Sequence, residues 1–383
     1  MIPFDFQPRT RIVFGPDKTD ALGELASEMG VRSALVVSDE GVVAAGHTER
    51  GISALERAGI VTHLYDSVHE NPTTADVDAG LHFAKRHEPE LLIGLGGGSS
   101  MDCAKGINFL YSNGGKMEDY WGVGKALREM LPMIAVPTTA GTGSETQSFA
   151  LISDAKTKVK MACGDKKAAC RIAVLDPNLT VTQPKSVTAL TGIDAIAHAL
   201  ETYVTKRRNA ASLAFSREAW HLCGANFARV LENPNDLDAR SGMQLGACFA
   251  GLAIENSMLG ATHALANPLT QNYGIIHGKA VGLMLPHVIR FNGEQFPEWY
   301  CDLLEATAGA NGFPDPSSGP AGLADYVSEL VVKAGLPTSL SDCGVELERI
   351  PELAAAAAEQ WTGNFNPRDV GQADLLNLYH QAF

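Results

Sequence analysis

Residues 90–102, ELLIGLGGGSSMD, join a short apolar run to a glycine-rich turn. The run is bounded by turn residues, as in a buried β-strand, and the helical segment CAKGINFL follows at 103–110. Glycines at such a turn let the backbone approach a phosphate group, whose charge is stabilised by amide donors at the N-terminus of the helix. The pattern is not a regular GxGxxG, because Ser99 takes the place of the third glycine. A glycine cluster alone is more typical of a tight turn than of a ligand site.

Similar units lie on both sides of this stretch. Helical segments alternate with three further β-rich runs, SALVVSDEGV at 33–42, GIVTHLYDSV at 59–68 and MIAVPTTAGTGSE at 133–145. This alternation is typical of a doubly wound parallel sheet, which binds ligands beyond the carboxyl ends of its strands. The turn at 137–145 offers hydroxyl groups and small residues after an apolar strand, so the two turns together predict one nucleotide ligand.

Asp39 closes the strand ALVVSD at 34–39. A carboxylate at this position of an open α/β sheet commonly binds a ribose hydroxyl. The local sequence is equally compatible with a turn aspartate or the N-cap of a helix.

The character of the chain changes near Ser186. Long amphipathic segments rich in Ala and Leu follow, such as SVTALTGIDAIAHALETYV at 186–204, and β-branched runs become rare. With 383 residues the chain also exceeds the roughly 250–300 residues at which a single core stops growing. We therefore predict an α/β domain at 1–185, for which the glycine-rich turns indicate dinucleotide binding, and a helical domain at 186–383.

The charge balance argues against several classes of partner. Acidic residues outnumber basic ones by 44 to 30, so the formal charge of -14 disfavours nucleic acid and anionic membranes. The N-terminal MIPFDFQPRTRIVFG lacks the pattern of a signal peptide, and no later stretch reaches about 18 uninterrupted apolar residues. We expect a cytoplasmic protein.

Four residues of the second half have the chemistry of metal ligands. Asp194 and His198 are four residues apart in a helical segment, so their side chains share one face. This spacing alone is more often that of a salt-linked or core histidine. His263 and His277 add two imidazoles in an apolar neighbourhood, where coordination would offset the cost of burial. One carboxylate and three imidazoles suit a Lewis acid that polarises a carbonyl or lowers the pKa of an alcohol.

At these residues the sequence resembles the iron-dependent, group III alcohol dehydrogenase family, which is related to glycerol dehydrogenases and more distantly to dehydroquinate synthases. The resemblance runs in order through RIVFG at 11–15, GGGSSMD, PTTAGTGSE, the block 176–201, GATHALANPLTQNYGIIHG at 260–278 and NPR at 366–368. It implies a Rossmann-like α/β N-terminal domain and an all-α C-terminal domain, the dehydroquinate synthase-like fold. The cofactors that it implies are NAD and Fe2+, with Zn2+ as the alternative metal.

The resemblance also implies a set of site residues. The metal ligands fall on Asp194, His198, His263 and His277. Contacts to the dinucleotide fall on Asp39, Asn71, Gly97, Gly98, Ser99, Asp102, Thr138, Thr139, Thr142, Ser144, Lys160 and Leu179. The carboxylate of Asp39 favours NAD over NADP. The substrate pocket falls on Phe149, Leu151, Ile254 and Leu259, whose apolar side chains indicate a small or medium aliphatic alcohol.

Asn267 is a departure from the family pattern near the chemistry. Many members carry a histidine there, four residues after the third ligand, and an amide cannot shuttle a proton at neutral pH. We still place Asn267 among the catalytic residues.

The predicted function is reversible hydride transfer between an alcohol and NAD, giving an aldehyde or ketone, in a homodimer or higher homo-oligomer. One alternative is another enzyme of the superfamily, either a maleylacetate reductase-like enzyme without metal or a dehydroquinate synthase-like lyase. The other alternative is an inactive nucleotide-binding structural subunit.

Overall fold

Strands and helices alternate through the first half of the chain in the computed structural model, which describes residues 2–309 and 312–383. Two compact units are present. The first comprises Gln7–Thr139 and Gly143–Gln183. The second comprises Pro184–Phe383 with Ala140–Thr142 and the N-terminal residues up to Phe6.

The first unit is built on a parallel sheet. Among the described residues the sheet has six strands: β1 (Arg11–Phe14), β2 (Ser33–Val37), β3 (Val61–Tyr65), β4 (Leu91–Gly96), β6 (Met133–Pro137) and β9 (Ile172–Leu175). Their order in the sheet is β1-β9-β6-β4-β2-β3. Their pairings are parallel. The predicted parallel α/β fold of this part of the chain is confirmed.

Strand β4 lies in the middle of this sheet, and all six of its residues are buried. Leu91, Ile93 and Leu95 belong to one apolar cluster, and Leu92 belongs to another. Alternate residues of a strand point to opposite faces, so the sheet is covered by apolar side chains on both faces. This is why the strand is a continuous apolar run.

Five helices of the first unit connect the strands: α1 (Leu22–Ser27), α2 (Glu40–Ala44), α3 (His47–Arg57), α4 (Thr74–His87) and α5 (Gly98–Asn113). A second sheet has the order β5-β8-β7, formed by β5 (Gly122–Val123), β7 (Phe149–Ser153) and β8 (Lys160–Gly164). Strands β7 and β8 pair antiparallel. The alternation of strands and helices gave no indication of this second sheet.

The second unit is helical, which confirms the predicted all-α C-terminal part. Its helices are α6 (Lys185–Val204), α7 (Ala210–Glu232), α8 (Leu237–Asn256), α9 (Ala261–Tyr273), α10 (His277–Gly293), α11 (Pro297–Ala306), α12 (Gly319–Lys333), α13 (Ile350–Ala358) and α14 (Gln372–Gln381). Helix α6 is buried continuously from Gly192 to Val204, as expected of a helix that other helices surround. Over the residues that the structure describes, no helix is both long and apolar enough to span a membrane.

Candidate metal centre and glycine-rich turns

Three helices of the second unit carry the four predicted metal ligands. Asp194 and His198 lie one turn apart on α6, His263 lies in the first turn of α9, and His277 is the first residue of α10. Asp194, His198 and His263 are at most 5% exposed, whereas His277 is partly exposed. The fold therefore brings together residues that lie up to 83 positions apart in sequence.

One carboxylate oxygen is the common neighbour of the three imidazoles. The Nε2 atoms of His198 and His263 each lie 3.4 Å from Asp194 Oδ1, and Nε2 of His277 lies 3.6 Å from it. Donor atoms of Asp194, His263 and His277 all lie within 4.8 Å of one another; His198 is not part of that set of three.

These distances suit a shared cation better than direct hydrogen bonds. A tetrahedral divalent cation with bonds of about 2.1 Å holds its ligand atoms about 3.4 Å apart. Within the described part of the chain, Asp194 Oδ1 and His263 Nε2 are buried and have no hydrogen-bond partner. Buried polar atoms without a partner are costly, and a cation would satisfy both. The donor set therefore fits one divalent metal ion.

The other ring nitrogens have protein partners. Nδ1 of His263 is hydrogen-bonded to Oε2 of Glu201, and Nδ1 of His198 lies 3.3 Å from the carbonyl oxygen of Gly141. Gly141 packs so closely on α6 that an added Cβ would lie 2.5 Å from Cβ of Thr191. The glycine in the middle of the 137–145 turn is thus required by this close approach. Glu201 is not among the residues predicted from the sequence, although its position seven residues after Asp194 places it on the same face of α6.

The charges of the cluster shift its pKa values. Burial raises the pKa of Asp194, but the imidazoles of His198, His277 and His263 outweigh burial and hold the pKa below its usual range. Burial lowers the pKa of His263, whereas the charge of Glu201 raises it, to about 9 overall. Burial lowers the pKa of His198. Because a coordinating imidazole must be neutral, a metal ion would displace the proton on Nε2 of His263 and leave the one on Nδ1, which faces Glu201.

Asn267 is held by a neighbouring side chain. It lies one turn after His263 on α9, and its Nδ2 donates a hydrogen bond of 2.9 Å to Oε1 of Gln360. Gln360 is not among the residues predicted from the sequence.

In the first unit, the two glycine-rich turns lie side by side. The N–H of Thr138 donates to the carbonyl of Gly96 at 2.9 Å, and a Cβ on Gly97 would lie 3.4 Å from Cγ2 of Thr139. Gly97 is the N-cap of α5, which begins at Gly98, so the first amides of this helix follow the turn directly. Such amides are suited to bind a phosphate group. The structure thus places the two turns together, as one ligand requires.

Two other predicted cofactor residues contact the first turn. The backbone N–H of Asn71 donates to Oγ of Ser99 at 3.1 Å. Oδ2 of Asp39 accepts a hydrogen bond of 3.0 Å from Oγ of Ser100, and its Oδ1 accepts one of 3.1 Å from the N–H of Val42. Asp39 is therefore the N-cap of α2 as well as a neighbour of the turn.

Asp102 and Ser144 are engaged with each other. Oγ of Ser144 donates to Oδ1 of Asp102 at 2.6 Å. The fully buried Lys105 donates from Nζ to the carbonyl oxygen of Ser144 at 2.6 Å, to its Oγ at 2.8 Å and to the carbonyl of Phe149 at 2.9 Å. Burial raises the pKa of Asp102. Lys105 is not among the residues predicted from the sequence, and its hydrogen bonds to Ser144 connect helix α5 to the second turn.

The remaining predicted residues differ in their exposure and in the elements that carry them. Thr139 and Thr142 are partly exposed, Lys160 is exposed, and Leu179 is 1% exposed within an apolar cluster. For the predicted substrate pocket, Phe149 and Leu151 lie on one face of β7, Ile254 lies near the end of α8, and Leu259 precedes α9.

Two family models together match most of the chain. The family model "iron-containing alcohol dehydrogenase" matches residues 8–177, and the model of the C-terminal region of the Fe-containing alcohol dehydrogenase family matches residues 188–383. Alcohol dehydrogenase 4 of Schizosaccharomyces pombe is 36% identical over 367 residues, covering 94% of this chain and 85% of that protein.

Solved structures are also similar over the whole chain. The crystal structure of a 1,3-propanediol oxidoreductase superposes with a TM-score of 0.94 at 30% identity, covering 100% of both chains. A sulfoacetaldehyde reductase from Bifidobacterium kashiwanohense, solved in complex with NAD+, has a TM-score of 0.89 at 27% identity, covering 100% of this chain and 99% of that one.

Proposed function

The chain belongs to the iron-containing alcohol dehydrogenase family, and from this premise we propose that it interconverts a small alcohol and its aldehyde or ketone with NAD. The observation that carries the proposal is the convergence of three imidazole Nε2 atoms on Asp194 Oδ1, at 3.4–3.6 Å. The proposed metal is Fe2+, with Zn2+ as the alternative, held by Asp194, His198, His263 and His277.

The groups that the protein would bind supply the reactive chemistry. When bound, the cation supplies Lewis acidity that lowers the pKa of an alcohol, and the nicotinamide accepts or donates hydride. The side chains hold these groups in place. Asp194 supplies the negative charge of the donor set, and the partners at Nδ1 leave Nε2 of His198 and His263 facing Asp194. Asn267 is able to donate a hydrogen bond but not to transfer a proton at neutral pH.

For the dinucleotide, we propose residues 1–185 as the binding domain and 186–383 as the metal-binding, catalytic domain. The amides after Gly97 would bind the pyrophosphate, and Asp39 would accept a hydrogen bond from the ribose. The same carboxylate would repel the extra phosphate of NADP. The other proposed contacts are Asn71, Gly98, Ser99, Asp102, Thr138, Thr139, Thr142, Ser144, Lys160 and Leu179.

The proposed substrate is a small or medium aliphatic alcohol, because the four proposed pocket residues are apolar. The 1,3-propanediol oxidoreductase among the similar structures supports this size class. We further propose a cytoplasmic homodimer or higher homo-oligomer. The metal-free and inactive alternatives are disfavoured by the two buried ligand atoms that lack a partner within the described residues.

The test is reconstitution under anaerobic conditions with Fe2+ or Zn2+, followed by a panel of alcohols and aldehydes with NAD and NADP. We expect NADH absorbance to change with a small alcohol or aldehyde only in the metal-loaded protein. Equal turnover by protein stripped of metal, or no turnover with any member of the panel, would refute the proposal. Light scattering after size exclusion measures the oligomeric state.

A further inference from the structure

Glu201 is a buried acidic residue behind the proposed metal centre. It lies on α6 with Asp194 and His198, at positions seven and three residues further along the same helix face, and it is 4% exposed. Its two carboxylate oxygens have different partners. Oε1 accepts a hydrogen bond of 2.7 Å from the N–H of Thr262, and Oε2 is hydrogen-bonded to Nδ1 of His263.

This arrangement determines which nitrogen of His263 is free for a metal. A carboxylate accepts hydrogen bonds, so Nδ1 of His263 carries the proton and Nε2 is directed at Asp194 Oδ1, 3.4 Å away. A carboxylate in this position also increases the basicity of the imidazole as a ligand. His198 differs, because its Nδ1 faces the neutral carbonyl of Gly141.

A second buried group fixes the helix that carries His263. Oδ1 of Asn366 accepts from the N–H of Ala261 at 3.3 Å and from Nδ2 of Asn292 at 3.0 Å, and Nδ2 of Asn366 donates to Oδ1 of Asn292 at 2.7 Å. The first amides of a helix have no partner within the helix. Asn366 and Glu201 therefore satisfy the amides of Ala261 and Thr262, immediately before His263.

Gly260 makes this approach feasible. A Cβ at this position would lie 3.0 Å from Oδ1 of Asn366 and 3.2 Å from Oε1 of Glu201, which is closer than nearly all ordinary contacts. The NPR sequence at 366–368 thereby acquires a structural role, since its asparagine is part of the support of α9.

We infer that Glu201 is a positioning residue for the metal centre: its carboxylate fixes the tautomer and orientation of His263 while it anchors the start of α9. The inference rests on the proposed function, because it requires that Asp194 and the histidines bind a metal ion. It goes beyond that proposal by assigning a role to a residue that is not itself a ligand.

The variant Glu201→Gln tests this role sharply. The amide has the same shape but only one oxygen acceptor, whereas Thr262 N–H and His263 Nδ1–H are both donors. One of the two donors would therefore face an NH2 group. We expect metal affinity to fall by about 10- to 100-fold, as is typical for the loss of such a partner of a ligand.

The measurement is competition of the metal-free protein with a chromogenic chelator for Zn2+, with circular dichroism as a check of folding. Glu232→Gln is the control, because Glu232 is exposed and pairs with Lys333, and neither residue is a proposed ligand. If the wild type binds Zn2+ and Glu201→Gln binds it equally well, the inference is overturned and the proposed function stands. If the wild type binds no stoichiometric metal, the proposed metal centre itself is overturned.

A second measurement does not require that Glu201→Gln folds. In proton NMR of the metal-free wild type, a strongly hydrogen-bonded imidazole N–H gives a resonance far downfield. We expect such a resonance, and we expect it to disappear in His263→Gln. Its absence from the wild type would show that Glu201 does not hold Nδ1–H of His263, and would overturn the inference.

Discussion

In the wild type, the free energy of unfolding should fall as the pH rises, because the buried Glu145 must ionise. Replacing Glu145 by glutamine is expected to remove this fall. Glu145 closes the 137–145 turn in a short 3-10 helix, Ser144–Thr146, and is only 3% exposed. Burial raises the pKa of its carboxyl group to about 7, although the charge of Lys105 acts in the opposite direction. The carboxyl therefore ionises at a higher pH in the folded chain than in the unfolded chain.

The sign and size of the effect follow from this difference. Below pH 4.5, the ordinary value, the group is protonated in both states and costs nothing. Between pH 4.5 and about 7, the carboxyl group is ionised in the unfolded chain but still protonated in the folded chain, so the free energy of unfolding falls as the pH rises. Above about pH 7 the group is ionised in both states, and the free energy falls no further for this reason. The difference between 4.5 and about 7 corresponds to about 3 kcal/mol of unfolding free energy.

The assay is urea unfolding followed by circular dichroism, on metal-free protein, at several pH values from about 5 to 8.5. The free energy of unfolding of Glu145→Gln minus that of the wild type should be about 2–3 kcal/mol larger at pH 8.5 than at about pH 5. Glu24→Gln is the matched control, because Glu24 is exposed on α1 of the same unit. A difference between Glu145→Gln and the wild type that does not change with pH would refute the reasoning.

Three further predictions concern the proposed sites. His198→Ala or His263→Ala should abolish stoichiometric metal binding and turnover while the circular dichroism spectrum stays that of the wild type; activity without metal would contradict the ligand assignment. Asp39→Gly should narrow the preference for NAD over NADP, measured as kcat/KM with each cofactor, because it removes a charge that repels the 2′-phosphate. If kcat/KM fell equally with NAD and NADP, the role of Asp39 would be only that of a helix cap. Asn267→His should raise turnover near neutral pH and add an ionisation near about pH 6 to 7, measured by pre-steady-state hydride transfer across pH. An unchanged profile, with an altered KM or stability, would instead indicate that Asn267 serves only as the hydrogen-bond donor to Gln360.

Much of the fold could be predicted because local sequence and buried environment agree. In β4 the run of apolar residues reflects burial on both faces, and in α6 the mixture of Ala and Leu reflects burial on all sides. The small sheet was missed for the opposite reason. Strand β7 alternates buried Ala150 and Ile152 with more exposed residues, and the stretch is too short to stand out in a chain dominated by βα units.

The metal donors could be predicted from residue chemistry, since Asp194 and His198 are one helical turn apart and their type limits what they can bind. The sequence does not predict which distant residue forms the hydrogen bonds with the other polar atoms of these side chains. Glu201 lies 62 residues from His263, Lys105 lies 39 residues from Ser144, and Asn267 lies 93 residues from Gln360.

These long-range partners decide the chemistry of the predicted residues. An acceptor at Nδ1 of an imidazole favours the tautomer whose Nε2 is available to a metal, so the proposed role of His263 as a ligand depends on its partner Glu201. Asn267 likewise has one amide proton committed to Gln360, which limits how freely its side chain can turn toward a substrate. A histidine at this position would have to break that contact, or rebuild it through one ring nitrogen, before the other nitrogen could exchange a proton. The effect of Asn267→His therefore depends on Gln360, and the double substitution with Gln360→Ala separates the two contributions. If the histidine of Asn267→His transfers a proton, turnover should rise further when Gln360→Ala releases it. If residue 267 only positions its neighbours, the second substitution should lower turnover.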